Sequence, residues 1–370
     1  MATTPIKVRL FTPGPVEIPA RVLRALSQVP PHHRTEGYRT TQRLVIEELR
    51  TLHRTRGEVF LFAASGSGAM EAAVVNVMAP GQRALAIGGG KFGERWASIL
   101  SAFAVAHELL PVEWGQSVDP NRLDAVLAAD ASLAVVFATH SETSTAALHD
   151  LQQIATVVKA RGRRLVIDAV TSLGVHALEQ DAWGIDVVVC GSQKGLMIPP
   201  GIGTVSLSPA AADLIEGDRL PRFYWDLRRA RKSAAQGDTS FTPPVSLVLA
   251  LQEALAMIRE EGLEQVWDRH RRVAVAIRDG AKAHGWSLFA AHPAHGVTAL
   301  VPPAGVNASD VVKRLRDVHG IVVANGQDRL KGQMIRVGHM GHYDLGDAAV
   351  VLNAIGECTR ALASAVPARA

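Results

Sequence analysis

Arg164-Leu165-Val166-Ile167-Asp168-Ala169-Val170 and, further along, Asp186-Val187-Val188-Val189-Cys190-Gly191-Ser192-Gln193-Lys194 decide how this chain is read. Each is a short apolar run that ends in a polar turn carrying one reactive group, an acid in the first and an amine in the second. Strands buried on both faces of a sheet read as such continuous hydrophobic runs rather than as alternating ones. One strand–helix unit is expected between Asp168 and Lys194, which brings both groups to the same edge of one sheet.

The same texture extends outward. Glu58 to Ala63, Arg83 to Ile87, Val105 to Leu110, Leu133 to Ala138 and Thr204 to Leu207 are further strand candidates. Between them, Gly68 to Met78, Gly93 to Phe103, Pro120 to Ala129 with Asp119 as N-cap, and Leu151 to Ala160 have helical patterns. Alternation of this kind predicts an α/β fold: a mostly parallel sheet, helices on both faces, right-handed crossovers, and ligands beyond the carboxyl ends of the strands.

After Pro243-Pro244 the pattern changes to two long helices, Val245 to Arg259 and Leu263 to Ala283. Beyond them lie strands at Val297 to Val301, Ile321 to Val323 and Met334 to Val337, and helices at Ser309 to His319 and Ala348 to Leu362. We therefore expect a Pro-rich extended arm over residues 1–25, a large domain over 26–262 and a smaller C-terminal α+β domain over 263–370.

The composition excludes several classes. The 370 residues are 48% hydrophobic and 20% charged, as in an ordinary globular protein. The net charge of +4 is scattered, and the densest run, Arg222 to Lys232, holds only five basic residues, so a nucleic-acid surface is not expected. Cys190 and Cys358 stand far apart without Cys/His ligand spacing, which argues against a disulfide framework or a metal site. No apolar run has the length of a membrane span, and Met1 to Pro5 lacks a signal-peptide core, so a reducing cytoplasmic location is expected.

Four features fall just past strand candidates. Ser65-Gly66-Ser67-Gly68 lies between a strand and a helix, where free amides and the helix dipole suit a phosphate; a plain tight turn is the alternative. Asp168 follows a buried strand and needs a cation or donors, such as a pyridinium nitrogen, unless it is a simple loop carboxylate. Lys194 sits at the mouth of an apolar site, where desolvation would make it a nucleophilic amine; most lysines are merely exposed. Arg336, inside the apolar run Met334-Ile335-Arg336-Val337-Gly338, needs an anion, either a substrate carboxylate or a structural salt bridge. Together the four describe the binding pattern of pyridoxal 5'-phosphate, with a Schiff-base lysine and an acid for the ring nitrogen.

The chain also resembles the class V, fold-type I aminotransferases, and within them the alanine–glyoxylate and serine–glyoxylate branch. The resemblance runs from Phe11-Thr12-Pro13-Gly14-Pro15 to Arg336-Val337-Gly338. Its most specific stretches are Ser65 to Ala72, Thr139-His140-Ser141-Glu142-Thr143-Ser144-Thr145, Val166 to Val170, Gly191 to Gly195 and Pro199-Pro200-Gly201. It implies that Ser65, Gly66, Ser67 and Gln193 hold the cofactor phosphate, Thr143 the ring hydroxyl and Asp168 the protonated ring nitrogen. Val170 would pack on one ring face and Phe92, where many members carry tryptophan, would stack on it. Thr242, and with it Thr239, would reach the phosphate of a neighbouring subunit, making a homodimer with shared sites. Arg336 would bind the substrate carboxylate near the Gly14 backbone.

One departure from the animal enzymes is the loop Pro31-His32-His33-Arg34-Thr35-Glu36-Gly37-Tyr38, where Arg34 and Tyr38 either help select substrate or pack on a partner. The implied reaction is ping-pong transamination through Lys194, from a small amino acid such as alanine or serine to a 2-oxo acid such as glyoxylate. The rivals are an aspartate-donor transaminase, a cysteine desulfurase and a non-catalytic partner subunit. Gln193 before Lys194, rather than histidine, and the retention of Asp168, Lys194 and Arg336 argue against the last two.

Overall fold

A computed structural model describes residues 7–364; the first six residues of the expected arm lie outside the described residues. The strands are β1 (Arg9–Phe11), β2 (Glu58–Ala64), β3 (Arg83–Ile87), β4 (His107–Leu110), β5 (Leu133–Thr139), β6 (Ser141–Glu142), β7 (Ala147–Leu148), β8 (Arg164–Asp168), β9 (Val187–Gly191), β10 (Gly201–Leu207), β11 (Ser287–Leu288), β12 (Val297–Val301), β13 (Ile321–Asn325) and β14 (Ile335–Gly338). The helices are α1 (Ala20–Leu26), α2 (Glu36–His53), α3 (Gly66–Val77), α4 (Lys91–Ala102), α5 (Pro120–Ala129), α6 (Leu151–Ala160), α7 (Leu227–Ala235), α8 (Val245–Glu261), α9 (Leu263–Ala283), α10 (Ala308–His319) and α11 (Leu345–Ala363).

Seven strands form one sheet in the order β2-β10-β9-β8-β5-β3-β4. All run parallel except β10, which is antiparallel to both β2 and β9. The segment 192–200 that joins β9 to β10 is too short for a parallel crossover, so the chain must turn back on itself. Alternate residues serve opposite faces. Leu165, Ile167, Val188 and Leu85 enter one apolar core, while Val166, Val187, Val189 and Ala84 enter the other. Both faces are covered, which explains the unbroken apolar runs.

Two connections depart from expectation. No helix lies between β8 and β9; consecutive turns cross from Ala169 to Asp186, yet the strands still pair in parallel. The stretch ending at Tyr38 is only partly loop, because Thr35 caps α2 and accepts a hydrogen bond from the Tyr38 N–H. Tyr38, Val45, Leu49 and Leu52 then form a buried helical stripe.

The second sheet has the order β1-β13-β14-β12-β11. Its first strand comes from the N-terminal segment: β1 pairs in parallel with β13. Residues 1–25 are therefore not wholly an extended arm where they are described, since they also carry β1 and most of α1. Helices α9 and α10 pack on this sheet, and α11 packs on both helices, around a third core. Gly262, with φ +89°, separates α8, which packs on α1 and α2, from α9.

Candidate active site

The carboxyl ends of β2, β3, β5, β8 and β9 open onto one edge. Thr139, Asp168 and Val189 stand side by side there in register. Each strand hands its next residues to this edge: Ser65 to Ser67 after β2, Phe92 beyond β3, Thr143 beyond β5, Val170 after β8, and Gln193 and Lys194 after β9.

Lys194 is buried, and its Nζ donates to the Pro13 carbonyl. Burial pulls its ammonium down to about 8, against the attraction of Asp168; Arg336 and Arg95 push the same way as burial. Gly14, with φ +110°, lies so close that a Cβ there would sit 2.5 Å from Lys194 Nζ. The N-terminal segment thus forms one wall of the lysine's pocket, and only glycine fits both the conformation and the space.

Asp168 is buried at the end of β8, and Val170 N–H donates to its carboxylate at 2.8 Å. Burial raises its pKa from 3.8 to about 7, opposed by that hydrogen bond. A buried carboxyl with a single hydrogen bond among the described residues matches a site that awaits a cation.

Ser65 caps α3, its hydroxyl accepting from Gly68 N–H at 3.4 Å. A Cβ on Gly66 would lie 2.7 Å from Val170 Cγ2, and one on Gly191 would lie 3.1 Å from Gly66 Cα and 3.2 Å from Gln193 Oε1. Ser65-Gly66-Ser67, Val170 and Gln193 therefore converge, and Gln193 Oε1 is buried without a partner. The glycines permit this approach, and the helix terminus suits a phosphate ester, to which Gln193 could donate only through its NH2 group and not through the unpartnered Oε1.

Arg336 lies in β14. Its guanidinium donates to Asn325 O at 3.0 Å and to Thr143 O at 3.1 Å, and no carboxylate pairs with it among the described residues. Burial lowers its pKa, while Glu142 raises it. The structural salt bridge considered from sequence is absent among the described residues, and a partly buried guanidinium held by carbonyls keeps donors for an external anion. Thr143 is brought to the same place, its hydroxyl 2.6 Å from that of Thr171.

Other candidates stand apart. Thr239 and Thr242 follow α7 and line a cavity of about 120 Å³ along the outer edge of β2. Arg34 is exposed and Tyr38 is buried in the core with its hydroxyl unpartnered. No hydrogen bond or ion pair among the described residues joins either to Lys194.

Two residues went unrecognised in the sequence. Glu142 is buried, and its carboxylate accepts from the N–H groups of Phe92 at 3.0 Å, Gly93 at 2.9 Å and Ser144 at 3.0 Å. It closes the start of α4 and fixes Phe92; burial raises its pKa despite these bonds. Arg95, one turn into α4, donates to Ser67 Oγ at 2.9 Å, and its guanidinium lies 4.5 Å from the centre of the Phe92 ring. A signal was present: Gly88-Gly89-Gly90 after β3 repeats the strand, glycine, helix order of Ser65 to Gly68.

The cysteines offer no nucleophile. Cys190 lies within β9 and burial pushes its thiol up to about 12; Cys358 is buried in α11 and its thiol is pushed up to about 11. Among the described residues no group of His, Cys, Asp or Glu could hold a metal ion, and no helix is long and apolar enough to cross a membrane.

A parallel sheet whose carboxyl edge gathers a lysine, an acid and a glycine-lined helix terminus defines a pyridoxal-phosphate enzyme of fold type I. Residues 8–343 match the family model Aminotransferase class-V, and the chain belongs to that family of transaminases. It is 42% identical over 340 residues to a "Soluble hydrogenase 42 kDa subunit" of Anabaena cylindrica, covering 90% of this chain and 88% of that one. It is 33% identical over 356 residues to a "Serine--glyoxylate aminotransferase" of Methylorubrum extorquens, covering 92% and 89%. The crystal structure of a subgroup IV aspartate aminotransferase from Thermus thermophilus superposes with a TM-score of 0.90 at 34% identity, covering 96% of this chain and 99% of the other.

Proposed function

We propose that this transaminase moves the amino group of a small amino acid, alanine or serine, to a 2-oxo acid such as glyoxylate in a ping-pong sequence centred on Lys194. What supports the reading is a buried lysine, walled by Gly14 and with its pKa lowered to about 8, that feels the charge of Arg336, a carbonyl-held arginine without an acidic partner among the described residues. When bound, pyridoxal phosphate supplies an aldehyde for covalent capture by Lys194 and an electron-withdrawing ring.

The chain's own residues do the rest. Lys194 Nζ, with its pKa pulled down to about 8, offers a far larger neutral, nucleophilic fraction at physiological pH than an ordinary lysine does. With the cofactor bound, its free amine would move a proton between the substrate Cα and the cofactor C4′. The Asp168 carboxylate keeps a proton on the ring nitrogen. Thr143 meets the ring hydroxyl, Val170 and Phe92 flank the ring, and Ser65, Gly66, Ser67 and Gln193 take the phosphate. Arg336 binds the substrate carboxylate beside Gly14.

Thr239 and Thr242 line a cavity beside β2, and on the reading that the resemblance implies they serve the phosphate of a second copy. The homodimer follows from that reading. The likeness to a serine–glyoxylate enzyme supports the substrate pair, and the Thermus structure makes aspartate the competing donor. The same intact site speaks against a non-catalytic subunit, and two buried thiols, both free, speak against a desulfurase and fit a reducing cytoplasm.

The test is direct. Purified protein given pyridoxal phosphate should show the visible absorbance of a lysine-bound cofactor, absent in Lys194→Ala. Alanine, serine and aspartate should then each be assayed for keto-acid release with glyoxylate. A retained band in the variant would sink the role of Lys194. Turnover with none of the donors would sink the reaction, and turnover with aspartate alone would replace the donor. Sulfide release from cysteine should be absent.

A further inference from the structure

The phosphate loop is short of positive charge. A phosphate ester carries roughly −1.5 to −2 at neutral pH. The start of α3 offers the equivalent of about half a positive charge. Ser65, Ser67, Gln193, Thr239 and Thr242 are all neutral. Ser65 has also committed an acceptor lone pair to Gly68 N–H.

Arg95 is the cation that touches this loop. Its Nη1 donates to Ser67 Oγ at 2.9 Å, so that oxygen is already an acceptor and its hydroxyl proton is free to point elsewhere. No carboxylate pairs with Arg95 among the described residues, whereas Arg83, Arg161 and Arg231 each have at least one. Its guanidinium lies over the Phe92 ring, 4.5 Å from the centroid, which holds it in place without neutralising it. Its charge also reaches Asp168 and Lys194, so this half-buried guanidinium acts on the groups of the site.

We propose that Arg95 is a positioning residue for the cofactor phosphate: it supplies the full positive charge that the loop lacks and turns the Ser67 hydroxyl proton toward the phosphate. This rests on the functional reading above. Arginine suits both tasks, since its fork can donate to Ser67 while other N–H groups face the anion.

The experiment compares pyridoxal phosphate with pyridoxal, which has the aldehyde and ring but no phosphate. Cofactor-free wild type, Arg95→Gln and Arg95→Lys are titrated with each, following the absorbance of the lysine-bound form at equilibrium. Arg95→Gln should weaken pyridoxal phosphate roughly tenfold to a hundredfold, the usual size for a charge-assisted contact, and pyridoxal by less than about threefold. Arg95→Lys, which keeps the charge, should recover part of the loss and covers the case in which the glutamine variant fails to fold. By ³¹P NMR, the bound phosphate of Arg95→Gln should take up a proton at higher pH than that of the wild type.

Equal weakening of both ligands would overturn the proposal, since it would mark a loss of Phe92 placement and not of charge. Unchanged affinity for pyridoxal phosphate together with a raised KM for aspartate would also overturn it, by moving Arg95 to a substrate carboxylate. Wild-type protein that forms no lysine-bound species would instead overturn the functional reading, and this inference with it.

Discussion

Asp168 makes a stability measurement diagnostic of the site before any activity is assayed. In the unfolded chain its carboxyl ionises near the ordinary 3.8; in the folded, cofactor-free chain burial keeps the proton on until about pH 7. Between these values the folded chain binds more protons than the unfolded one, so its stability falls as pH rises through the window. At about 1.4 kcal/mol per pH unit, the ceiling on this loss is about 4 kcal/mol by pH 7.5. Asp168→Asn removes the ionisation while keeping an oxygen for the Val170 N–H. The cofactor-free variant should therefore match wild type near pH 4 and exceed it by about 2–4 kcal/mol at pH 7.5, read as a rise of several degrees in Tm. Taking the difference between two proteins cancels the buried histidines His53, His140 and His270, which burial holds down to about 3 in both. With pyridoxal phosphate the order should reverse, because the ring cation stabilises the wild-type carboxylate. Parallel pH profiles from 4.5 to 8, or a variant less stable at 7.5, would refute the account of Asp168 as a buried acid awaiting a cation.

Arg336→Met should lower kcat/KM for an amino acid roughly a hundredfold to a thousandfold while leaving a carboxyl-free amine little changed, measured as single-turnover absorbance decay; equal losses on both would deny Arg336 the carboxylate. Gly66→Ala should weaken cofactor binding by roughly tenfold or more, because the added methyl meets Val170 at 2.7 Å, and equilibrium titration with pyridoxal phosphate checks it. Mixing Lys194→Ala with a Thr242→Ala partner impaired in phosphate binding should restore one of the two sites in each hybrid dimer, up to about a quarter of all sites in the exchanged mixture by binomial pairing. No recovery after subunit exchange, confirmed by native mass spectrometry, would confine each site to one chain.

Much of this was legible in the sequence because it depends on local rules. Continuous apolar runs mark strands covered on both faces, and Asp119 and Ser65 announce helix starts through the hydrogen bonds they accept. Lys194 and Asp168 were found because each follows such a run. Arg95 and Glu142 escaped for the opposite reason. A charged residue in an amphipathic helix reads as solvated, and only the rotation of α4 on the sheet aims Arg95 at Ser67. Glu142 lies in the polar stretch Thr139 to Thr145, and its burial comes from β3, α4 and β5 meeting around it. The helix α2 was lost in a His- and Arg-rich opening, although Tyr38, Val45, Leu49 and Leu52 already held its apolar stripe. The turns between β8 and β9 do a helix's work of crossing over without its periodicity.

The N-terminal segment shows why the lysine cannot be understood from its own sheet. Phe11 ends a strand that belongs to the second sheet, through its pairing with β13. Tyr343 holds that strand from the same side by donating to Leu10 O. Gly338, two residues past Arg336, packs directly on the Thr12 carbonyl, where no Cβ would fit. The next two residues then cross to the first sheet: Pro13 accepts from Lys194 Nζ and Gly14 covers its side chain. One short run of chain thus ties the strand that carries Arg336 to the wall of the lysine's pocket. A shift of the second sheet would therefore carry Gly14 with it, so the backbone of residues 9–14, together with side-chain contacts such as Arg336 to Thr143 O and Lys91 to Asp328, couples that sheet to the surroundings of Lys194. Gly14→Ala is the change that should break it, because its φ of +110° and its approach to Lys194 leave room for no other residue.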